Sequence, residues 1–324
     1  PCIFGQGTYR YLVRPSTDKT LSCKYTINER SYSASLACKI SAGKYAYYKV
    51  DGGSKRIIDA KIKYDLQIGD FYMKDGCIVS KNAVLSDVQK DACVGIVFQT
   101  DVSRIGDDIK KKISNPHGLV LAIKNTPGKE QLWGEPVVDL SGIVSPTVSP
   151  FTYSDNLSKM YNDITGYSKT EFCKQEITSG YQYNAFKNLE EHSKQYPVPT
   201  SFTTGWFIPS IGQWWDIFEC LGGVGKLKEF HTSTLPSLEL EQLYGDIAKD
   251  NVNAAIEKLG VRAEMIYGRS YWSSSEYKES EMEVVTGAAI LYPGHSCYVD
   301  ANSYMRFAGK AKNNVLCVRP ILAF

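Results

Sequence analysis

The residues with the clearest chemical potential lie near the C terminus, in segment 292–306, YPGHSCYVDANSYMR. From residue 297, the odd positions carry mainly apolar or small side chains: Cys297, Val299, Ala301, Ser303 and Met305. The even positions carry Tyr298, Asp300, Asn302, Tyr304 and Arg306. Because successive side chains of an extended strand point to opposite faces, the segment predicts an apolar inner face and a polar, aromatic outer face.

This outer face has the composition of a ligand-binding surface. Tyrosine gives broad contact area at low entropic cost, asparagine and aspartate give directional hydrogen bonds, and arginine gives charge. The sequence holds 22 tyrosines, so this residue type is plentiful. An ordinary exposed strand, with tyrosines packed against their neighbours, is an equally good interpretation of the composition, and the residues alone leave both open.

Catalytic motifs are incomplete elsewhere in the chain. Residues 190–192, Glu-Glu-His, lack the second histidine at i+4 that a zinc-peptidase helix uses, and we predict that they form a solvated helix face. The glycine-rich run 222–226, GGVGK, follows a predicted helix and has no Ser or Thr after its lysine. It predicts a helix end rather than a phosphate-binding loop.

The sequence also shows no motif for binding a metal or a cofactor. Calcium-dependent sugar binding needs several clustered oxygen ligands, and the nearest fragment, EPV at 135–137, lacks the required amide. Asp300 and Asn302 alone are too few, so we predict no metal and no cofactor. The nine cysteines show no C-x-x-C spacing, and several lie in apolar runs. They are more consistent with mostly unpaired core thiols than with a disulfide framework.

The composition limits the classes of partner. The chain has 324 residues, is 43% hydrophobic and 22% charged, and carries a net charge of +2. It has no basic tract for nucleic acid and no apolar run near the roughly 20 residues that a membrane crossing needs. It begins at Pro1 without a signal-peptide pattern, so either a leader and a preceding segment have been removed or the sequence begins downstream of them.

The predicted elements run from strands to helices and back to strands. Residues 1–62 show period-2 alternation, and segments 92–99 and 118–123 predict buried strands after a turn at 74–76. Helical patterns cover 170–194, 211–221 after an N-cap at Ser210, and 238–259, the first and last as one helix or two. Strands return from residue 271. This order predicts an α+β fold.

Four ordered motifs resemble a known family. They are GWFIPS at 205–210, QWW at 213–215, YWSSSE at 271–276 and VRPILAF at 318–324. This set is similar to the C-type-lectin-like domains at the ends of surface and pilus proteins of gut anaerobes. GDFY at 69–72 and GIVF at 95–98 look like opening strands of the same domain. We interpret the tryptophans in these motifs as structural framework: large buried side chains that pack helices against a sheet.

The resemblance implies a two-part chain. Residues 63–324 would form the C-type-lectin-like domain, with a long helical insertion at about 223–262. Residues 1–62 would be the β-rich end of a pilin-like, fimbrillin-type domain, which segment 42–48, AGKYAYY, resembles. We expect an exported protein at the cell surface or on a pilus, in contact with pilin subunits through the N-terminal β region.

The resemblance favours a non-enzymatic adhesin for a protein or glycan ligand. Its candidate binding residues are Tyr277, Tyr292, His295, Ser296, Tyr298, Asp300, Asn302, Tyr304 and Arg306. A structural pilus subunit is the alternative. A formylglycine-generating-type oxidase, which resembles the same fold, ranks third because Cys297 and Cys317 are its only candidate cysteine pair and its Arg-Gly-Gly-Ser motif is missing.

Related lectin-like domains include variable proteins that retroelements diversify by mutating adenine-containing codons near the C terminus. Such codons yield Asn, Ser, Tyr, Asp, His and Cys, among others, and segment 295–304 is rich in these residues. The resemblance therefore adds the hypothesis that this segment varies.

Overall fold

The structure is a computed structural model, and it divides the chain into two compact units, Pro1–Asp65 and Leu66–Phe324. It describes residues 2–4, 8–10, 16–27, 30–40, 62–63, 66–128, 131–134, 151–152, 157–178, 183–235, 238–266, 270–278, 295–300, 305–311 and 314–324. Within these ranges, no helix is long and apolar enough to cross a membrane.

The described part of the first unit consists of short and long β-strands. They are β1 (Cys2–Phe4), β2 (Thr8–Arg10), β3 (Ser16–Ile27), β4 (Arg30–Ile40) and β5 (Ile62–Lys63). β1 pairs with β2, and β3–β4–β5 form an antiparallel sheet. β structure is confirmed for these ranges, while the extended segment predicted at 45–50 lies outside the described residues.

The second unit contains the remaining elements. Its strands are β6 (Phe71–Met73), β7 (Ile78–Val79), β8 (Cys93–Gln99), β9 (Leu119–Ala122), β10 (Gln131–Leu132), β11 (Phe151–Thr152), β12 (Leu238–Leu240), β13 (Ser270–Lys278), β14 (His295–Asp300), β15 (Met305–Ala311), β16 (Val315–Leu316) and β17 (Ile321–Ala323). Its α-helices are α1 (Asp87–Ala92), α2 (Asp107–Lys112), α3 (Leu157–Asn162), α4 (Gly166–Thr178), α5 (Asn184–Gln195), α6 (Ile211–Asp216) and α7 (Gln242–Glu257). The chain is thus an α+β protein, as its sequence predicts.

The first sheet of this unit has the order β17–β9–β8–β6–β7 and is antiparallel throughout. Every residue of β8 is buried, which fits its continuous apolar sequence. Gly76 closes the β6–β7 hairpin with φ of 82°, a conformation that glycine adopts without strain. The strands predicted at 92–99 and 118–123 and the turn at 74–76 are therefore confirmed.

The helix predictions are confirmed in part. Ser210 and Gln213 form a capping box at the start of α6, which continues as a π-helical turn (Ile217–Leu221). The chain then leaves the helix at Gly223, whose φ is 67°, so the glycine run is a helix end as predicted. The pattern at 170–194 belongs to two helices, α4 and α5.

The predicted helical segment 238–259 needs a correction. Its first residues form β12, in which Leu238 and Leu240 are buried and Glu239 is exposed, and only then does α7 begin, as one helix. The leucines fit the helical spacing of the following residues, but they also fit period 2, and pairing with β15 selects the strand. Segment 223–262, predicted as a helical insertion, therefore contains an edge strand as well as α7.

The core of this unit is rich in large aromatic side chains. Trp206, Trp214, Trp215 and Trp272 are at most 2% exposed. The ring centroid of Trp215 lies 4.7 Å from that of Phe307 in β15, so α6 packs on the sheet that contains β13–β15. The prediction that these tryptophans are framework is confirmed.

Candidate ligand-binding surface

The predicted binding segment lies in a second sheet, with the order β11–β13–β14–β15–β12. β14 is its middle strand, paired antiparallel with both β13 and β15. The segment is therefore neither one continuous strand to Arg306 nor an edge strand, because β14 ends at Asp300 and β15 begins at Met305. Asp300 and Arg306 stand directly opposite each other in the register.

The register assigns the candidate residues to faces of this sheet. Residues directly opposite in an antiparallel pair share a face, and neighbours along a strand alternate. Ser296, Tyr298, Asp300 and Arg306 therefore occupy positions of one face. His295 and Tyr277, which are opposite each other, occupy positions of the other face. Three further candidates lie outside the described residues: Tyr292, Asn302 and Tyr304.

The face opposite to Arg306 packs on α6. Phe307 and Met305 are buried there, and Phe307 stands in the register next to Leu238 of β12. Tyr271 of β13 contacts Trp214, with 5.1 Å between ring centroids. The predicted apolar inner face is confirmed at Met305, and the positions of Ser296, Tyr298 and Asp300 belong to the face that looks away from α6.

Arg306 has a partner that sequence reasoning missed. Its Nη2 donates to Glu239 of the edge strand β12, which is opposite it in the register. The side chains are 41% and 48% exposed, so this ion pair lies at the surface. The alternation Leu238-Glu239-Leu240 could have predicted a strand with Glu239 on its polar face. The segment was predicted as helix because the residues that follow it have helical spacing.

The sequence motifs interlock beneath the sheet through long-range hydrogen bonds. The indole of Trp214 donates to the Trp272 carbonyl (3.1 Å), and Trp133 donates to the Ser273 carbonyl (2.8 Å). The amide of Ser274 donates to the Pro209 carbonyl (2.8 Å). Trp272 thus joins the QWW segment to β13 and Ser274 joins the GWFIPS segment to it, and β13 pairs with the neighbouring strand β14.

A buried ionic network fixes the same region. Asp163 accepts hydrogen bonds from the Lys169 ammonium and the Ser275 hydroxyl at one oxygen and from Thr165 at the other. Ser275 Oγ also accepts from the Ile211 amide (2.9 Å) at the start of α6. Burial opposes ionisation of the carboxyl, but Lys169 and the hydroxyls outweigh burial and hold the pKa of Asp163 below its usual value.

A second polar cluster surrounds the π-helical turn. Arg104 Nε donates to Asp216 Oδ1 (2.9 Å), and the guanidinium lies 3.8 Å from the ring centroid of Tyr161. The ring of His231 stacks on Tyr161 at 3.7 Å, and its Nε2 lies 2.6 Å from Glu219 Oε2. Asp216 and Glu219 are each bound by a side chain from another segment, so we interpret the cluster as a structural connection between elements.

Residues 190–192 differ from the prediction of a solvated helix face. Glu190 and Glu191 are exposed, but His192 is buried in the core against Tyr196 and Trp206. The cause is the helical period, since His192 continues the buried series of Ala185 and Leu189 along α5.

Metal-binding groups and three of the cysteines can be assessed among the described residues. No group of three or more His, Cys, Asp or Glu side chains that could hold a metal ion occurs among them. Cys93 and Cys220 are free thiols, and burial raises the pKa of each to about 12. Cys317 is fully buried, whereas a reactive cysteine needs partial exposure.

Sequence comparison relates the chain to a fimbrial protein. No protein-family model matches it. It is similar to a Bacteroides ovatus protein that carries the provisional name fimbrium tip subunit Fim1C, with 23% identity over 91% of this chain and 53% of the relative. The chain therefore spans about half the length of that relative.

Structure comparison finds a similar fold in a solved protein. The fold resembles the crystal structure of a fimbrial protein from Bacteroides ovatus, with a TM-score of 0.52 and 22% sequence identity. The match covers 96% of this chain and 58% of that one. Together the two similarities support a fimbrial-type protein.

Proposed function

We propose that this chain is a fimbrial subunit of the tip type, displayed at the cell surface, which acts by binding and not by catalysis. The observation that carries the proposal is the sequence similarity to a fimbrium tip subunit along 91% of the chain. Export and contact with pilin subunits, for which the β-rich first unit is the candidate region, are part of the proposal.

The ligand is a protein or a glycan, and the binding surface lies on the face of the second sheet that looks away from α6. This face is exposed at Arg306 and Glu239, whereas Trp272, which is opposite Tyr298 on the same face, is buried. Ser296, Tyr298, Asp300 and Arg306 share this face by register, and a mix of tyrosine, hydrogen-bonding and charged residues suits recognition of either ligand class. Glu239 extends the surface to the edge strand through its pair with Arg306. Tyr277 and His295 occupy positions of the other face, so we assign them a smaller part.

The second unit is proposed to be a C-type-lectin-like domain. Two observations support this assignment. The GWFIPS, QWW and YWSSSE motifs are joined by hydrogen bonds, and their tryptophans are buried in one core. An experimental structure of the protein tests the assignment, because a C-type-lectin-like domain superposes on known members across both sheets.

A ligand screen against glycans and host extracellular proteins tests the binding function. Tyr298→Ala, Asp300→Ala and Tyr304→Ala are expected to reduce binding of any ligand found, since they remove contact area or hydrogen bonds from the proposed surface. Val261→Ala is the matched control, because this side chain is 92% exposed and lies outside the sheet. If all three variants bind as the unmodified protein does, the ligand uses another surface.

A structural subunit without a ligand of its own is the alternative, and the fimbrial similarity is compatible with it. Incorporation into fimbriae separates the two. A structural subunit is needed for polymer assembly, whereas deletion of a tip adhesin removes attachment and leaves fibres visible by electron microscopy.

Sequence variation of segment 295–304 by a retroelement is a separate part of the proposal. It rests on the residue types of that segment, which match randomised adenine-containing codons. Sequencing the locus tests it, because the mechanism requires a near-identical template repeat and a reverse transcriptase gene beside the coding sequence.

A further inference from the structure

Four polar residues form one row across the second sheet, at the C-terminal end of β14. The register places Ser270 of β13 opposite Asp300, Asp300 opposite Arg306, and Arg306 opposite Glu239 of β12. Because residues that are directly opposite share a face, all four positions lie on the face that looks away from α6. We call these four residues the polar row.

The polar row is accessible to solvent at the three residues whose side chains are described. Ser270 is half-buried, and the side chains of Arg306 and Glu239 are 41% and 48% exposed. Trp272, two residues further along β13 on the same face, is 0% exposed, and its indole donates to the Gln131 carbonyl (2.7 Å). A ligand can therefore reach this face at the polar row, whereas the face is covered at Trp272.

Arg306 has an acidic position on each side in the polar row. Its Nη2 donates to the Glu239 carboxylate, and Asp300 occupies the opposite position on β14. Directly opposite positions of an antiparallel pair have Cβ atoms about 4.5–5.5 Å apart. The row thus holds two acidic residues for one basic residue, and the charge of the guanidinium is balanced within the protein.

This arrangement decides which charge on a ligand the polar row accepts. An arginine on a binding surface is well suited to anionic groups, because its planar guanidinium binds carboxylates and phosphates through two parallel hydrogen bonds. Here Glu239 already occupies the guanidinium. An anionic group would have to displace Glu239 and would approach two acidic positions, and such like-charge contacts are a common means of excluding wrong partners.

We propose that Glu239 is a specificity-determining residue of the ligand-binding surface, which excludes anionic ligand groups by its pair with Arg306. The proposal rests on the function proposed above, in which this face binds the ligand. The ligand group that contacts the polar row is then uncharged or basic. Sulfated and sialylated glycans and acidic peptide segments do not bind there.

A charge variant of the full chain tests the proposal with heparin, a sulfated polysaccharide, as the probe. Glu239→Gln keeps the size of the side chain, removes its charge and frees Arg306 for sulfate groups. Glu257→Gln is the matched control, because Glu257 is an exposed residue of α7 outside the sheet and its loss changes the net charge equally. In titrations at low ionic strength, where exposed charges are least screened, Glu239→Gln should bind heparin about two- to fivefold more tightly than the control.

The double variant Glu239→Gln/Arg306→Gln identifies the group that gains the sulfates, since loss of the guanidinium should abolish the increase. Equal heparin affinities of Glu239→Gln and Glu257→Gln, or an increase that persists in the double variant, would overturn the proposal. The titration needs no native ligand, so its failure contradicts the role of Glu239 and leaves the binding function intact. That function fails instead if the ligand screen shows that a ligand uses another surface.

Discussion

His192 lies in the core between the rings of Tyr196 and Trp206, with 1% of its surface exposed. Desolvation lowers its pKa from 6.5 to about 3. The unfolded chain therefore binds a proton near pH 6.5, where the folded protein does not. Because the unfolded state binds more protons below this pH, the stability contributed by the neutral ring is lost as pH falls from 6.5 towards 3.

This shift predicts a measurable pH slope. Between pH 7 and pH 5 the free energy of unfolding is expected to fall by about 2 kcal/mol on account of His192, at about 1.4 kcal/mol per pH unit below 6.5. Urea titrations at the two values measure it, and His192→Gln, which cannot take up a proton, isolates the contribution. Equal pH slopes in the two proteins would contradict the prediction.

The sequence alone could not identify this histidine as a core residue. Two glutamates precede it, and the residue types of 190–192 describe a polar surface. What decides burial is the position of His192 one helical period after Leu189, on the face of α5 that meets Trp206. Polarity and periodicity conflict here, and packing resolves the conflict in favour of periodicity.

At the scale of elements, α6 approaches the end of α3 more closely than a side chain allows. A Cβ on Gly212 would lie 2.4 Å from the Tyr161 carbonyl oxygen and 2.5 Å from that of Asp163. The amide of Gly212 donates to the Asp163 carbonyl (3.0 Å), so the two backbones are in direct contact. Glycine is required at this position by space and not by a special φ.

Gly212→Ala is therefore expected to destabilise the protein, although alanine is the better helix former. Forcing the helices apart should cost about 1–3 kcal/mol, the usual range for overpacking. Gly225→Ala is the matched control, because no atom lies within 4 Å of its Cβ position. Its effect should stay within about 0.5 kcal/mol. Urea unfolding compares the two, and equal losses would show that close contact at Gly212 is not the cause.

Elements with strong local signals were predictable from sequence, and those set by distant pairing were not. The Ser210 cap and the buried run of β8 are local, and both appear in the structure. The reversal between β14 and β15 was hidden for a geometric reason. Asp300 and Arg306 are directly opposite, so the even-numbered residues of β14 and β15 lie on the same face, and period 2 cannot distinguish one long strand from two paired strands.

At the scale of the whole second unit, one buried carboxylate joins segments that are far apart in sequence. Asp163 follows α3, Lys169 belongs to α4, and Ser275 of β13 also holds the first amide of α6. The candidate binding strand β14 pairs with β13, so its position depends on this network. The ordered motifs included the start of α6 and part of β13, but the partners of Asp163 could be known only from the fold.

Lys169→Met should reveal how much the unit depends on the network. It leaves the Asp163 carboxylate charged and buried without its counter-ion, and breaking such a pair costs about 3–5 kcal/mol. All five tryptophans lie in this unit, so urea unfolding followed by tryptophan fluorescence reports on it alone. The double variant Lys169→Met/Asp163→Asn should recover much of the loss, because both charges are then gone. Lys194→Met, which removes an exposed pair with Glu190, should leave the midpoint unchanged. If Lys169→Met cost no more than this surface control, the network would not be what holds β13 against α6.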